Sequence, residues 1–156
     1  MIDRRMLLTL PAAFALPLAL PGCASPPPPP ATLELTLAAG PDQNPDALGK
    51  PASVAVRIFQ LAATAKFERA DVFPLIERDA ATLGTDDLGS EEYVIAPGEK
   101  RLVSHELKHG TQFIGIIVLF RDIDHATWRV MSPAPATGPL KLLLTTAGIT
   151  ATIAPA

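Results

Sequence analysis

The residues from His105 to His109 form the motif in this chain that is most typical of metal-dependent catalysis. They read His-Glu-Leu-Lys-His and so fit the pattern His-Glu-x-x-His. On a helix, this spacing puts both imidazoles on one face to bind zinc, and the glutamate acts as the general base. The catalytic hypothesis for this sequence is therefore a zinc metallohydrolase.

The surrounding sequence argues against that chemistry. The apolar residues before Gly110 fit a strand as well as a helix, and on a strand residues four apart lie roughly 13 Å apart, too far for one zinc ion. Gly115 stands where the extended form of the motif needs a histidine, and no glutamate follows Glu106. The conceivable third ligands are Asp122, Asp124 and His125. We expect solvated histidines here, and no catalytic residue, metal or cofactor.

The only cysteine, Cys23, stands in a context that predicts covalent lipid attachment. Residues 20–23 read Leu-Pro-Gly-Cys, which resembles the lipobox of bacterial lipoproteins, where the cysteine thiol takes a diacylglycerol. Arg4 and Arg5 come first, followed by the uncharged stretch 6–20, as in a signal peptide. We therefore predict that residues 1–22 are removed and that Cys23 carries the lipid, with acyl chains such as palmitate.

The segment 23–31 is expected to act as a tether between the lipid and the folded domain. Pro26–Pro30 is an uninterrupted proline run, which favours polyproline II geometry at about 3.1 Å per residue and so spans roughly 15 Å. Ala24 follows the cysteine, whereas in bacterial lipoproteins an aspartate there favours retention in the inner membrane. The sequence therefore predicts an anchor in the outer membrane, on its periplasmic face.

The composition restricts the classes of partner and cofactor. The chain has 156 residues and a formal charge of −3, which fits one domain and gives no reason to expect nucleic acid. Aromatic residues make up 5%, so a platform that stacks bases or sugars is not expected. A single cysteine also excludes an intramolecular disulfide and a Cys-rich metal site.

Residues 32–156 are predicted to form a mainly β domain. Thr32–Leu37 alternates apolar and polar residues, as in a strand with one buried face, and Phe113–Arg121 is a continuous apolar run, as in a central strand covered on both faces. The eight predicted strands are Thr32–Leu37, Val54–Leu61, Tyr93–Ile95, Leu102–Leu107, Phe113–Arg121, Trp128–Met131, Leu140–Thr146 and Ile149–Ile153. These elements fit a two-sheet β-sandwich.

The segment between the second and third strands is predicted to contain a helix. Within 67–83 the apolar residues at helical spacing are Phe73, Ile76, Ala80 and Leu83. Asp71 fits an N-cap, Pro74 fits the first turn, and Gly84 is a typical helix terminator. The charged pairs Asp86-Asp87 and Glu91-Glu92 are interpreted as a solvated loop after this helix.

The loop from Ala38 to Ala52 is long for a connection between two strands. It contains Gly-Pro-Asp at 40–42, Asn-Pro-Asp at 44–46 and Lys-Pro at 50–51, which restrict the backbone. Long, preorganised loops on a rigid scaffold often carry binding residues, although such a loop can equally be a plain connector.

Several short segments, in the same order along the chain, resemble the TssJ family of lipoproteins of type VI secretion systems. They begin with 44–46 and 49–51 of the loop and Val56–Leu61 of the second strand. The others are Phe67, Ala70-Asp71, Phe73 and Leu83-Gly84 in the helical segment, then Ala96–Glu99, Ile114–Ile116, Phe120–Asp122 and Trp128-Arg129. The resemblance covers about residues 33–131.

This resemblance implies both a fold and a function. The fold would be an eight-stranded, transthyretin-like sandwich with added helical elements. The function would be non-enzymatic: an outer-membrane lipoprotein that binds the periplasmic domain of the inner-membrane protein TssM, in a complex that also contains TssL. In that family the loop between the first two strands contacts TssM, which here implies Asp42, Asn44, Asp46 and Lys50 as contacts.

Two alternatives to this interpretation stay open at the level of sequence. One is the zinc metallohydrolase described above. The other is a generic periplasmic lipoprotein whose β-sandwich binds a small ligand, which would require a sizeable apolar pocket.

Overall fold

A computed structural model describes residues 26–156, which form a sandwich of two four-stranded sheets. The strands are β1 (Thr32–Ala39), β2 (Val54–Leu61), β3 (Asp87–Ile95), β4 (Lys100–Glu106), β5 (Phe113–Val118), β6 (Arg129–Pro133), β7 (Pro139–Ala147) and β8 (Thr150–Pro155). The predicted mainly β, two-sheet fold of about eight strands is confirmed. The predicted signal peptide and Cys23 lie outside the described residues.

The two sheets are built from strands that are distant in sequence. One has the order β4-β1-β7-β8 and the other the order β3-β2-β5-β6. The pair β1 and β7 is parallel, and the other pairs within these sheets are antiparallel. As predicted, β5 is a central strand, and nearly all of its residues are buried. Strand β1 pairs with β4 and with β7, both distant in sequence, and its register against β7 depends on residues more than one hundred positions apart.

The main core lies between the sheets and follows from the period-2 pattern. In β1, Leu33, Leu35 and Leu37 point inward and are almost fully buried, while their neighbours face outward. In β2, Val56 and Ile58 belong to the same inner cluster. Burying one such side chain contributes about 1.5–3 kcal/mol, so this alternation fixes which face of each strand is inside.

The helical segment between β2 and β3 is confirmed, but it forms three short helices rather than one. They are α1 (Ala65–Arg69), α2 (Val72–Glu77) and α3 (Asp79–Leu83), followed by a 3₁₀ turn at Gly84–Asp86. Ala70 is extended between α1 and α2, and Arg78, with φ −153° and ψ 50°, separates α2 from α3. Asp71 does stand at the N-cap of α2, although its side chain makes no capping hydrogen bond.

These helices pack on the outer face of the β3-β2-β5-β6 sheet and form a second core. The buried residues of this core are Phe59, Leu61, Phe67, Leu75, Leu83 and Ile117. Gly115 makes the packing possible, because a Cβ at this position would lie 2.8 Å from Phe67 Cζ and 2.8 Å from Leu61 Cδ1. Arg57 ties the sheet to α2 by donating hydrogen bonds to the carbonyls of Leu75 and Ile76, at 3.3 and 2.9 Å.

Strand β3 begins six residues earlier than predicted, so the interpretation of Glu91-Glu92 as loop was wrong. Both residues lie in β3, and Glu92 pairs with the Arg57 guanidinium at 2.9 Å. Because β3 is the edge strand of its sheet, it accommodates exposed charged residues, which also discourage pairing with another chain. Because its sequence is mostly polar, β3 lacks the alternation of apolar and polar residues by which the other strands were predicted.

The connections divide the sandwich into two ends. At the end that we call the tether pole, the chain enters β1, and Thr32 N–H and Gly138 C=O form a hydrogen bond of 3.0 Å. The opposite end, the loop pole, carries the β1–β2 loop, the β3–β4 turn, the β5–β6 loop and the β7–β8 turn. Within residues 26–156, no helix is long and apolar enough to cross a membrane.

Candidate functional site

The β1–β2 loop, residues 40–53, is held to the loop pole by backbone hydrogen bonds. Gly40 N–H donates to the carbonyl of Thr146 at 2.7 Å, and Asn44 N–H donates to the carbonyl of Gly148 at 2.7 Å. Gly98 N–H of the β3–β4 turn reaches the Gly40 carbonyl at 3.3 Å. Contacts to both sheets therefore fix the loop, so it is preorganised.

Gln43 is a fully buried residue that links the two sheets beneath this loop. Its Nε2 donates to the carbonyl of Ile95 in β3 at 3.0 Å, and its Oε1 accepts from Thr146 Oγ1 in β7 at 2.6 Å. Both polar atoms of this buried amide are hydrogen-bonded. Loss of either bond would leave a buried polar group unsatisfied, so Gln43 stabilises the arrangement of the loop on the two sheets.

Asn44, one of the four predicted contacts, has its side chain inside the loop and is 5% exposed. It adopts φ 48°, in the left-handed region that asparagine tolerates better than most residues. Its Nδ2 donates to the carbonyl of Ser53 at 2.8 Å, and its Oδ1 accepts from Arg121 N–H at 2.7 Å. In this structure Asn44 shapes the loop and ties it to the β5–β6 loop.

Asp46 forms the tight turn at the tip of the loop. Its Oδ1 accepts hydrogen bonds from the backbone N–H groups of Leu48 and Lys50, both at 2.9 Å. These bonds, first the one from Lys50 and then the one from Leu48, hold the pKa of the Asp46 carboxyl below its ordinary value. The turn presents Leu48 outward with 93% of its surface exposed.

Leu48 is absent from the predicted contacts, because a single exposed leucine is common on protein surfaces and nothing in the loop sequence sets this one apart. The other predicted residues are accessible: Asp42 and Lys50 are exposed, and Asp46 is half-buried. The tip therefore combines Leu48 with the Asp46 carboxylate and the Lys50 ammonium group, while the Asp42 carboxylate lies at the base of the loop. Such a mixture is suited to protein recognition, with Leu48 at the centre and the charges around it.

Two open grooves lie beside this tip and meet at Arg121. The first, which we call the loop groove, is lined by Pro45, Asp46, Ala47, Arg121, Asp122, Gly148 and Ile149. The second, which we call the helix groove, is lined by Val72, Phe73, Ile76, Leu119, Phe120, Arg121 and Ile123. Nearby, His125 Nδ1 lies 2.8 Å from Asp122 Oδ1, and this hydrogen bond raises the pKa of His125.

The His-Glu-x-x-His segment does not have the helical geometry that zinc hydrolases use. His105 and Glu106 end strand β4, and His109 follows in the exposed connection. The His105 ring instead contacts Tyr93 Oη at 3.0 Å and Glu91 Oε1 at 3.4 Å. Burial, and next the hydrogen bond to Glu91, raises the pKa of Tyr93 to about 12. Within residues 26–156, no group of three or more His, Cys, Asp or Glu side chains is placed to hold a metal ion.

Comparison with solved structures finds the same fold in proteins of the type VI secretion system (T6SS). The T6SS lipoprotein TssJ1 from Pseudomonas aeruginosa is 32% identical, over 82% of this chain and 98% of that chain, with a TM-score of 0.80. Lip from Serratia marcescens, a membrane-bound component of the type VI secretion system, is 24% identical over 81% and 98%, with a TM-score of 0.74, and shows the fold alone.

A third match is a chain in the structure of the T6SS protein TssM C-terminal domain (869–1107) from EAEC. It is 29% identical, over 80% of this chain and 98% of that chain, with a TM-score of 0.64. No curated protein matches the sequence significantly. The family model T6SS-SciN, described as type VI secretion lipoprotein, VasD, EvfM and TssJ, matches residues 31–150. The chain therefore belongs to the TssJ family of type VI secretion lipoproteins.

Proposed function

We propose that this chain is a non-enzymatic anchor of the type VI secretion membrane complex. A lipid on Cys23 holds it at the periplasmic face of the outer membrane, and the loop pole binds the periplasmic domain of TssM, with TssL in the same complex. The observation that carries this proposal is the rigid β1–β2 loop, which presents Leu48 almost fully exposed at its tip. Because the loop already holds Leu48 in place, a partner that covers this side chain gains the free energy of apolar burial and orders little additional chain.

The identity of the partner is supported by one of the similar structures. A chain 29% identical to this one occurs in the structure of the TssM C-terminal domain from EAEC. The similarity covers 80% of this chain, and so spans nearly all of the sandwich. We infer that this sandwich binds a TssM of its own system.

The arrangement of the two poles suits a protein that joins two membranes. The tether enters at one end of β1, and the β1–β2 loop leaves at the other. Strand β1 has eight residues, which at about 3.3 Å each place the loop pole roughly 25 Å beyond the tether pole. The partner is therefore contacted on the side of the domain that faces away from the lipid.

The four charged or polar residues predicted as contacts take different roles in this proposal. Leu48 fills an apolar pocket on the partner, Asp46 and Lys50 lie beside it and set its orientation, and Asp42 contacts the partner from the base of the loop. Asn44 acts indirectly, because its side chain is committed to Ser53 and Arg121 inside the fold. The proposed function is mechanical, since it requires no covalent bond of a substrate to be formed or broken.

Site-specific photo-crosslinking in the intact envelope tests this proposal. A photoreactive amino acid at Leu48 is expected to form a covalent product with TssM, detected by an antibody against TssM. The matched control is Leu102, which is also an exposed leucine, at 65%, but lies on the outward face of β4. A TssM product from position 102 and none from position 48 would contradict the assignment of the β1–β2 loop.

A further inference from the structure

The helix groove is the feature next to the β1–β2 loop that the proposed function leaves unexplained. Its floor and walls are mainly apolar and come from α2 and from the start of the β5–β6 loop. Phe73 of α2 is 61% exposed at its edge. Although Phe73 belongs to the apolar pattern of the helical segment, its ring lies outside the second core, whose α2 member is Leu75.

Arg121 joins this groove to the β1–β2 loop. It lines both grooves, and its backbone N–H donates to Asn44 Oδ1 at 2.7 Å. Among residues 26–156, its exposed guanidinium has no ion pair. Its backbone is held by Asn44, and its guanidinium, which helps to lower the pKa of the Asp46 carboxyl but forms no ion pair with it, is well suited to a carboxylate on a partner.

The size of a stable interface requires more surface than the loop alone. Specific complexes bury about 800 Å² per partner, or roughly 20–30 residues on each side. The loop between β1 and β2 is shorter than that, and Gln43 and Asn44 within it are buried. A partner that binds Leu48 must therefore also cover surface beside the loop.

Of the surfaces next to the β1–β2 loop, the helix groove is the best candidate for this additional contact, because most of its lining residues are apolar. The β3–β4 turn reads Ala-Pro-Gly-Glu and has no large apolar side chain, and in the β7–β8 turn Ile149 packs against the main core. In the helix groove, Phe73 is exposed and Ile123 is partly exposed. Arg121 lines both grooves and so lies between the β1–β2 loop, which carries Leu48, and Phe73 of the helix groove. This gives one apolar contact on each side of a cation.

We propose that the helix groove is the second half of the TssM-binding surface. It takes an apolar side chain of the TssM periplasmic domain against Phe73, and Arg121 pairs with a neighbouring carboxylate of the same domain. This assignment rests on the proposed function, because it names further contacts for the same partner.

Affinity measurements on substitutions in the groove test the assignment. The detergent-solubilised full chain is titrated with the purified periplasmic domain of TssM from the same organism, and the Kd is measured for wild type, Phe73→Ser and Arg121→Ala. Each substitution is expected to weaken binding by roughly tenfold or more, as truncation of a central contact does. The matched control, Leu102→Ser on the opposite sheet, is expected to bind within about twofold of wild type.

The possible outcomes separate this proposal from the proposed function. If Phe73→Ser and Arg121→Ala bind as wild type while Leu48→Asp does not bind, the helix groove is wrong and the anchor function stands. If wild type itself does not bind, both proposals are overturned. If Leu102→Ser loses as much affinity as the groove variants, the assignment of the helix groove is also overturned, because the loss is then not specific to the groove. Should Phe73→Ser fail to fold by circular dichroism, the exposed Arg121→Ala decides the question alone.

Discussion

Gln43 and Asn44 determine the shape of the β1–β2 loop through side chains that lie inside the fold. The resemblance to the TssJ family implied Asn44 as a contact, whereas its amide is bonded on both sides to Ser53 and Arg121. Gln43 was not predicted at all. A glutamine in a loop has no periodicity that indicates burial, and its partners Ile95 and Thr146 lie 52 and 103 residues away.

The buried amide of Gln43 is predicted to contribute strongly to the stability of the fold. Gln43→Ala removes two buried hydrogen bonds, one to the Ile95 carbonyl and one from the Thr146 hydroxyl, and leaves that hydroxyl without its acceptor, so we expect a loss of about 2–3 kcal/mol in the free energy of unfolding. Urea denaturation measures this loss. Lys50→Ala, at an exposed position of the same loop, is the control and should change the stability by less than about 0.5 kcal/mol. Equal effects of the two substitutions would contradict the role of Gln43.

The Asp46 turn provides a prediction about pH. Two backbone N–H groups bond to its ionised carboxylate and lower its pKa. Because the folded pKa is below the unfolded one, the turn is fully supported above the ordinary aspartate pKa of about 3.9. That support is lost as the pH falls through the lower folded value. A carbon-13 NMR titration should find the Asp46 midpoint below 3.9, and a midpoint at or above this value would refute the capping role.

In the helical segment between β2 and β3, the apolar periodicity predicts the presence of a helix but not its division into short helices. The spacing of Phe73, Ile76, Ala80 and Leu83 indicated a helix correctly in this segment. The pattern continues across Arg78, where the backbone leaves the helical region, so the sequence does not reveal that α2 and α3 are separate. Phe73 is exposed although it belongs to this pattern, because the residues that α2 buries are Val72 and Leu75.

The packing of the helices on β5 is predicted to require glycine at position 115. In the structure, a Cβ at this position would overlap with Phe67 and Leu61, and both of these side chains are fully buried and unable to move aside easily. Gly115→Ala should therefore lower the free energy of unfolding by about 1–3 kcal/mol through overpacking. Chemical denaturation measures this, and Gly115→Ala combined with Phe67→Leu should recover part of the loss. A single variant as stable as wild type would show that the helices do not pack on β5 as described.

At the scale of the whole molecule, the two-sheet fold could be predicted because most strands alternate clearly or are continuously apolar. The sheet order could not, since the parallel pairing of β1 with β7 depends on packing between distant strands. Strand β3 was predicted too short because it is an exposed edge with polar residues. The grooves that meet at Arg121 are lined by residues of four connections between strands, which are brought together only by folding.

Lipid attachment at Cys23 is predicted to set the position of the whole molecule in the envelope. Cys23→Ser removes the thiol that takes the lipid, so the chain should move from the outer-membrane fraction to the soluble periplasmic fraction while the domain keeps its unfolding temperature. Ala24→Asp is the companion variant, expected to keep the lipid and to shift the chain to the inner membrane. A Cys23→Ser chain that still fractionates with the outer membrane would contradict lipid anchoring at Cys23.

The central claim is that the loop pole binds the periplasmic domain of TssM through Leu48. The most direct measurement is a calorimetric titration of that domain into the wild-type chain, into Leu48→Asp and into the control Leu102→Asp. We expect saturable binding for wild type and for Leu102→Asp, and a loss of at least about 100-fold for Leu48→Asp, because a charge would enter an apolar contact. Absence of wild-type binding, or an unchanged affinity for Leu48→Asp, would contradict the claim.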